Sequence, residues 1–277
     1  MPSFLHFLNP LTLLRSLYRN RELIWNLTKR EVSSTYRGSF LGGLWAIIVP
    51  FMMMAIYTFV FSVVFQARWN SGSTQPTPKG EFALILYCGL TAFNLFSTVI
   101  NRSPGLVLAV PNYVKKVVFP LEILPVVATG SAAFTSLINV LLILAGSLLV
   151  QHTLSPTFWL LPLAYIPLLL LTLGLGWFLS SLGVFVRDIG QVTGVFMQAL
   201  FFVTPIVYST DSLPEWIRFL IGFNPLVPIL DGFRRTLLWG SSPNWSSWAL
   251  VTVLCALIAM LGFAWFSITK KGFADVM

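Results

Sequence analysis

Hydrophobic residues in this chain run in long uninterrupted blocks, not in the alternation expected of half-buried strands, and the blocks predict helices. Between Arg37 and Arg68 no residue is charged, which predicts a first membrane-length helix over residues 40–65, kinked at Pro50. A polar stretch rich in Pro and Gly, residues 66–81, predicts a loop. A second crossing is expected over 82–108, interrupted by Asn101, Arg102 and Pro104; Arg102 is costly against lipid and must snorkel or face protein. From Ile123 to Val186 there is no charged side chain, a length that suits two crossings, 123–150 and 158–186. Arg187-Asp188 marks a turn, and a fifth crossing is expected over 189–209. Two apolar pieces, 213–222 and 226–239, are split by Asn224-Pro225 and are each too short to cross. They predict short helices at a membrane face, or a re-entrant hairpin sheltered by protein. A last crossing over 245–268 ends at Lys270-Lys271.

The opening segment follows another pattern. A helix over 10–33 puts Leu13, Leu14, Leu17, Tyr18, Ile24, Trp25 and Val32 on one side and Arg15, Arg19, Glu22, Asn26, Lys29 and Arg30 on the other, with Arg21 and Leu23 out of pattern. Such a basic amphipathic helix is expected along a membrane surface; the alternative is a solvated helix on a soluble partner. Its cations, and the lack of a compact apolar core, predict no cleavable signal peptide.

Composition agrees with the blocks. The 277 residues are 56% hydrophobic and 9% charged, against roughly 45–50% and about 25% in soluble domains. The expected fold is therefore an all-α integral membrane domain over 1–277. It has an interface helix in 1–37, six transmembrane helices in 38–269, two short re-entrant or gate helices before the last span, and a tail over 270–277. A net charge of +8 would suit nucleic acid, but the cations lie between hydrophobic runs, so none is expected as a partner. With both ends inside, 11 Lys and Arg fall inside and five outside, Arg102 being unassigned, which favours cytoplasmic termini.

Little here could do covalent chemistry. The nine acidic residues are scattered, the histidines are His6 and His152, Cys88 and Cys255 sit in apolar runs, and no pair has metal-ligand spacing. There is no phosphate-binding glycine loop ahead of a lysine, and the third to fifth spans hold no buried ionisable residue for a proton relay. Catalytic residues, metal and cofactor are expected to be absent, and energy must come from a partner.

Several short motifs occur in order: Leu27-Thr28-Lys29-Arg30-Glu31, Tyr36-Arg37-Gly38-Ser39, Leu41-Gly42-Gly43-Leu44-Trp45, Phe185-Val186-Arg187-Asp188-Ile189, Thr204-Pro205 with Tyr208, and Phe223-Asn224-Pro225-Leu226 before Gly232-Phe233-Arg234. Together they resemble ABC-transporter permeases that export polysaccharides and teichoic acids, the O-antigen exporters most of all. The resemblance implies a homodimer paired with two copies of a separate ATPase that binds ATP and Mg. It implies a glycan on undecaprenyl diphosphate, moved across a bacterial inner membrane. Capsule or teichoic acid export, a drug or small-lipid exporter, and a membrane enzyme on polyprenyl-linked sugars are the alternatives.

Site candidates follow from both sources. Lys29 to Arg37, with Tyr36, would meet a lipid-linked diphosphate at headgroup depth, or simply anchor to anionic lipid. Gly38, Gly42 and Gly43 suit close approach of another helix, or a substrate contact. By resemblance, Lys29, Arg30, Glu31, Tyr113, Lys115, Lys116, Arg187 and Asp188 couple to the ATPase; the loop around Tyr113 would otherwise be a plain connection. Trp45, Tyr57, Phe61, Phe65, Phe196, Phe201 and Tyr208 would line a channel where sugar rings rest on aromatic faces, or would belong to ordinary lipid-facing belts. Glu215, Trp216, Arg218, Arg234 and Arg235 would sit on gate helices facing water or sugar, or on a solvated cap.

Overall fold

The computed structural model describes residues 10–37, 40–64, 69, 79–115 and 119–277, and all regular structure among them is helical. Two helices lead, α1 (Pro10–Arg19) and α2 (Arg21–Tyr36), where the sequence predicted one. The break falls at Asn20, whose side chain donates to the Ser16 carbonyl at 2.9 Å. Each helix then has its own rotation, which is why Arg21 and Leu23 fitted no common wheel.

The first span starts with a turn at Gly42, where φ is +51°, a left-handed value that favours glycine. A side chain at Gly42 or Gly43 would meet nothing within 4 Å, so these glycines do not admit a helix of the same chain. The span continues as α3 (Trp45–Tyr57) and a π-helical turn, Thr58–Val64. The next helix, α4 (Lys79–Leu106), runs straight through Asn101, Arg102 and Pro104, without the expected interruption. Pro104 costs this helix the main-chain bond to the Ile100 carbonyl, and the helix ends two residues later.

After the short α5 (Pro111–Lys115) come α6 (Leu124–Val150) and α7 (Leu161–Phe185), close to their predicted bounds. The expected fifth crossing is shorter: α8 (Ile189–Val203) has 15 residues, about 22 Å at 1.5 Å per residue, against a bilayer core of about 30 Å. It stops because Thr204 precedes Pro205 and is pushed to extended backbone, with ψ 132°. The described residues thus hold five helices of membrane-crossing length plus this shorter apolar one. Two short helices, α9 (Glu215–Gly222) and α10 (Leu226–Leu237), precede the last span, α11 (Trp245–Thr269).

Helix α4 is the axis of the bundle. Of its most apolar stretch 83% is buried, whereas the first span buries 6%, so that span's faces await lipid or another chain. Around α4 pack α6, α7, α8 and α10, and Phe82, Leu86, Cys88 and Val99 are almost wholly enclosed. Helices α7 and α11 meet backbone to backbone, since a Cβ on Gly262 would collide with the main chain of Gly174.

Residues beyond α11 do not trail off as a tail. A 3-10 turn, Lys270–Gly272, leads into α12 (Phe273–Val276), which returns Phe273 into a core with Trp177, Phe263 and Phe266. Ser16 of α1 and Lys270 after α11 both touch Glu122 ahead of α6, so both described ends share one face, the near face. The loop before α7 reaches the opposite, far face, where Ser155 donates to the Thr236 carbonyl of α10 at 2.8 Å.

Candidate functional site

On the near face the anchor is Glu122, which no motif marked. Its carboxylate takes the Lys270 ammonium at 2.8 Å and the Ser16 hydroxyl at 3.3 Å. Its carbonyl accepts the Trp177 indole N–H at 2.8 Å. One residue thus joins α1, the loop before α6, α7 and the end of α11. The available signal was a lone acid in a basic loop. A second tie spans α2 and α4, with Arg102 Nη1 2.6 Å from Glu31 Oε1. This resolves Arg102, which neither meets lipid unpaired nor interrupts its helix, and commits Glu31 to this chain.

The other coupling candidates sit on this face. Lys29, Arg30 and Arg37 are exposed on or just beyond α2, while Tyr36 ends the helix. Tyr113, on α5, stacks on Phe119 with ring centroids 4.6 Å apart. Lys115 ends α5, and Lys116 lies outside the described residues. Arg187 and Asp188 are exposed in the turn between α7 and α8, beside Phe185, whose ring meets Phe273 at 5.9 Å. The described members of the set are therefore gathered by the fold along one surface.

At the far end of α8, two of the sequence motifs meet. Asn224 donates to the Thr204 hydroxyl at 3.0 Å and accepts the Leu226 N–H at 3.0 Å, capping α10 while tying it to the unwound stretch. The Tyr208 hydroxyl points at the Phe202 and Val203 carbonyls, at 2.9 and 3.0 Å, so this tyrosine closes the end of α8.

Arg234 differs from expectation: it faces neither water nor sugar and is only 4% exposed. Its guanidinium donates to the carbonyls of Pro205 at 2.9 Å, Ile206 at 3.0 Å and Ile85 at 3.4 Å, and lies 4.4 Å from the Trp69 ring centre. The Pro205 and Ile206 carbonyls are free because α8 has ended, while Ile85 lies within α4, and a five-donor fork is the side chain that can collect several at once. Gly89 makes room, since a Cβ there would sit 2.7 Å from Arg234 Nη2. The other gate candidates are open. Glu215, Trp216 and Arg218 are exposed on α9, and Arg235 is half-buried and pairs with Asp231 at 2.7 Å.

The aromatic candidates do not form one surface. Tyr57 and Phe61 stack at 6.3 Å where the first span turns π-helical, Trp45 is partly exposed at its start, and Phe65 lies outside the described residues. Phe196 is 60% exposed on the outer side of α8. Phe201 instead lines an open cleft of about 510 Å³ between α4 and α8, with Phe93, Ser97, Asn101, Gln198 and Phe202. The edge of one ring meets the face of the other where Phe93 and Phe201 lie 5.5 Å apart.

A bundle that gathers its two ends and basic turns on one face, with short helices closing the other, is the arrangement of a membrane transport subunit. The chain belongs to the ABC-2 type transporter family, which it matches over residues 22–238. It is 24% identical over 259 residues to an O-antigen export system permease protein RfbA of Klebsiella pneumoniae, covering 92% of this chain and 95% of that protein. The RfbA permease of Myxococcus xanthus is 25% identical over 269 residues, covering 95% and 98%. The polysialic acid transport protein KpsM of Escherichia coli is 24% identical over 214 residues, covering 76% and 79%.

Proposed function

We propose that this chain is the permease subunit of an ATP-driven exporter that moves a lipid-linked polysaccharide from the cytoplasmic to the outer face of a bacterial inner membrane. Two copies form the conduit, two copies of a separate ATPase dock on the near face, and both termini are cytoplasmic. The observation that carries the reading is near end-to-end similarity to two O-antigen export permeases. Polysialic acid transport proteins match a shorter part of the chain, which favours O-antigen over capsule.

The arrangement fits the work. Alternating ATPase closure pushes on α2, α5 and the turn at Arg187-Asp188, and a packed bundle passes such rigid-body motion on. Adding Arg102 to the near-face cations strengthens the charge bias toward a cytoplasmic near face. The glycan is taken to ride on undecaprenyl diphosphate, with Lys29, Arg30 and Arg37 exposed at headgroup depth to meet the phosphates.

Deletion of the gene tests the reading. The expected result is a lipid-linked glycan trapped on the inner leaflet and absent from the cell surface. Absence of the glycan altogether would point to biosynthesis and sink the proposal.

A further inference from the structure

Asn101 and Gln198 are primary amides that the fold leaves open, one near the mouth of a cleft and the other deeper in it. Both line the cleft between α4 and α8, and among the described residues neither side chain has a hydrogen-bond partner. Ser97 lines it too, its hydroxyl turned back to the Asn94 carbonyl at 3.4 Å. The spacing of Asn94, Ser97 and Asn101 puts them on one face of α4, and Asn94 is exposed one turn further along. About 8 Å of helix separates Asn101 from Leu106, near the mouth, and about 14 Å separates Gln198 from Ile189, well inside a core of about 30 Å. A bare amide at the depth of Gln198 is costly against hydrocarbon, so this face does not meet lipid.

The cleft is also uncharged: none of its lining residues is ionisable. Charges begin at the near mouth, with Arg102 held by Glu31 and with Arg187-Asp188 ahead of α8. An anionic polymer in such a groove would leave its charges unpaired at low dielectric. Neutral sugars suit it, since each amide offers both donors and an acceptor to hydroxyls, and Phe93 and Phe201 offer faces to sugar C–H groups. Gly194 gives the groove depth, because a Cβ there would meet nothing within 4 Å.

We infer that this cleft is one wall of the polymer path, and that its rungs Ser97, Asn101 and Gln198 select a glycan whose repeating units carry no charge. The inference rests on the exporter reading and deepens it by naming the class of polymer. The second copy of the chain supplies the facing wall.

The test uses the full chain with its ATPase partner in cells lacking their own copy of the permease. Surface glycan, lipid-linked glycan and the amount of permease in the membrane are all measured. The glycan trapped by the deletion should contain no carboxylate or phosphate in its repeat. Asn101→Leu combined with Gln198→Leu should lower surface glycan at least tenfold, whereas Asn101→Ser with Gln198→Asn should keep half or more. Gly194→Phe should block export, and Leu141→Ala, on an exposed face of α6, should change nothing. If the leucine pair does not accumulate, Gly194→Phe decides, and normal export by it overturns the inference. A charged repeat, or normal export by the leucine pair, overturns the selectivity and leaves the exporter reading standing. A deletion that traps no lipid-linked glycan overturns both.

Discussion

Arg234 is a cation held by carbonyl dipoles and an aromatic face, its guanidinium bonded to three different main-chain oxygens. Its removal leaves the Pro205 and Ile206 oxygens without that donor in a place water does not reach. Arg234→Met is therefore expected to destabilise the protein by about 3 kcal/mol, read as a lower unfolding temperature in detergent. Arg234→Lys should recover less than half of that, because a single ammonium cannot span the same oxygens. An unchanged unfolding temperature in Arg234→Met would refute this account. The sequence showed the arginine and its neighbours but not its burial. Beside Arg235 it reads as one of a solvated pair, and only the end of α8 some thirty residues earlier reveals what it satisfies.

At the scale of helices, the long spans were legible because the pattern that marks them, some twenty uncharged apolar residues, is itself the requirement for crossing. Three departures have local causes. Asn20 divides the leading helix, α4 gives up one main-chain bond at Pro104 and ends two residues beyond it, and the Thr204-Pro205 step ends α8 early. Contacts between helices were not legible, since they depend on which turns come level with one another. The Glu122–Lys270 tie is such a case. Because Lys270 is more than a third exposed, water screens the pair, and Glu122→Gln should cost only about 1 kcal/mol of stability. Its larger effect should be mechanical: the variant exporter hydrolyses ATP near the wild-type rate while surface glycan falls severalfold. Equal retention of both activities would remove Glu122 from the coupling face. Gly262→Leu, by contrast, forces α7 and α11 apart, and immunoblots should find little of it in the membrane.

For the molecule as a whole, the sequence suggested groups of residues without showing how they meet. The coupling candidates share a face because the turns carrying them all fall on one side of the bundle, an arithmetic of crossings that charge counting could follow. The aromatic candidates fared differently. A phenylalanine that lines a groove and one that faces lipid have the same chemistry, so only the structure separates Phe201 from Phe196. The two-face topology predicts a labelling pattern. Thr153→Cys should react with a membrane-impermeant maleimide on intact spheroplasts, and Asp275→Cys only after permeabilisation, with little background because Cys88 and Cys255 are buried. The reverse pattern would invert the assigned orientation.

Phe273 lies beyond the last span, yet its ring completes the apolar cluster around Trp177 and Phe266. That ring is made after the whole of the last span, Trp245–Thr269, so the cluster can close only once the residues of every span have been synthesised. A reporter fused directly to Met277 would tug on this closing step, and a fusion separated by a flexible spacer would leave it free.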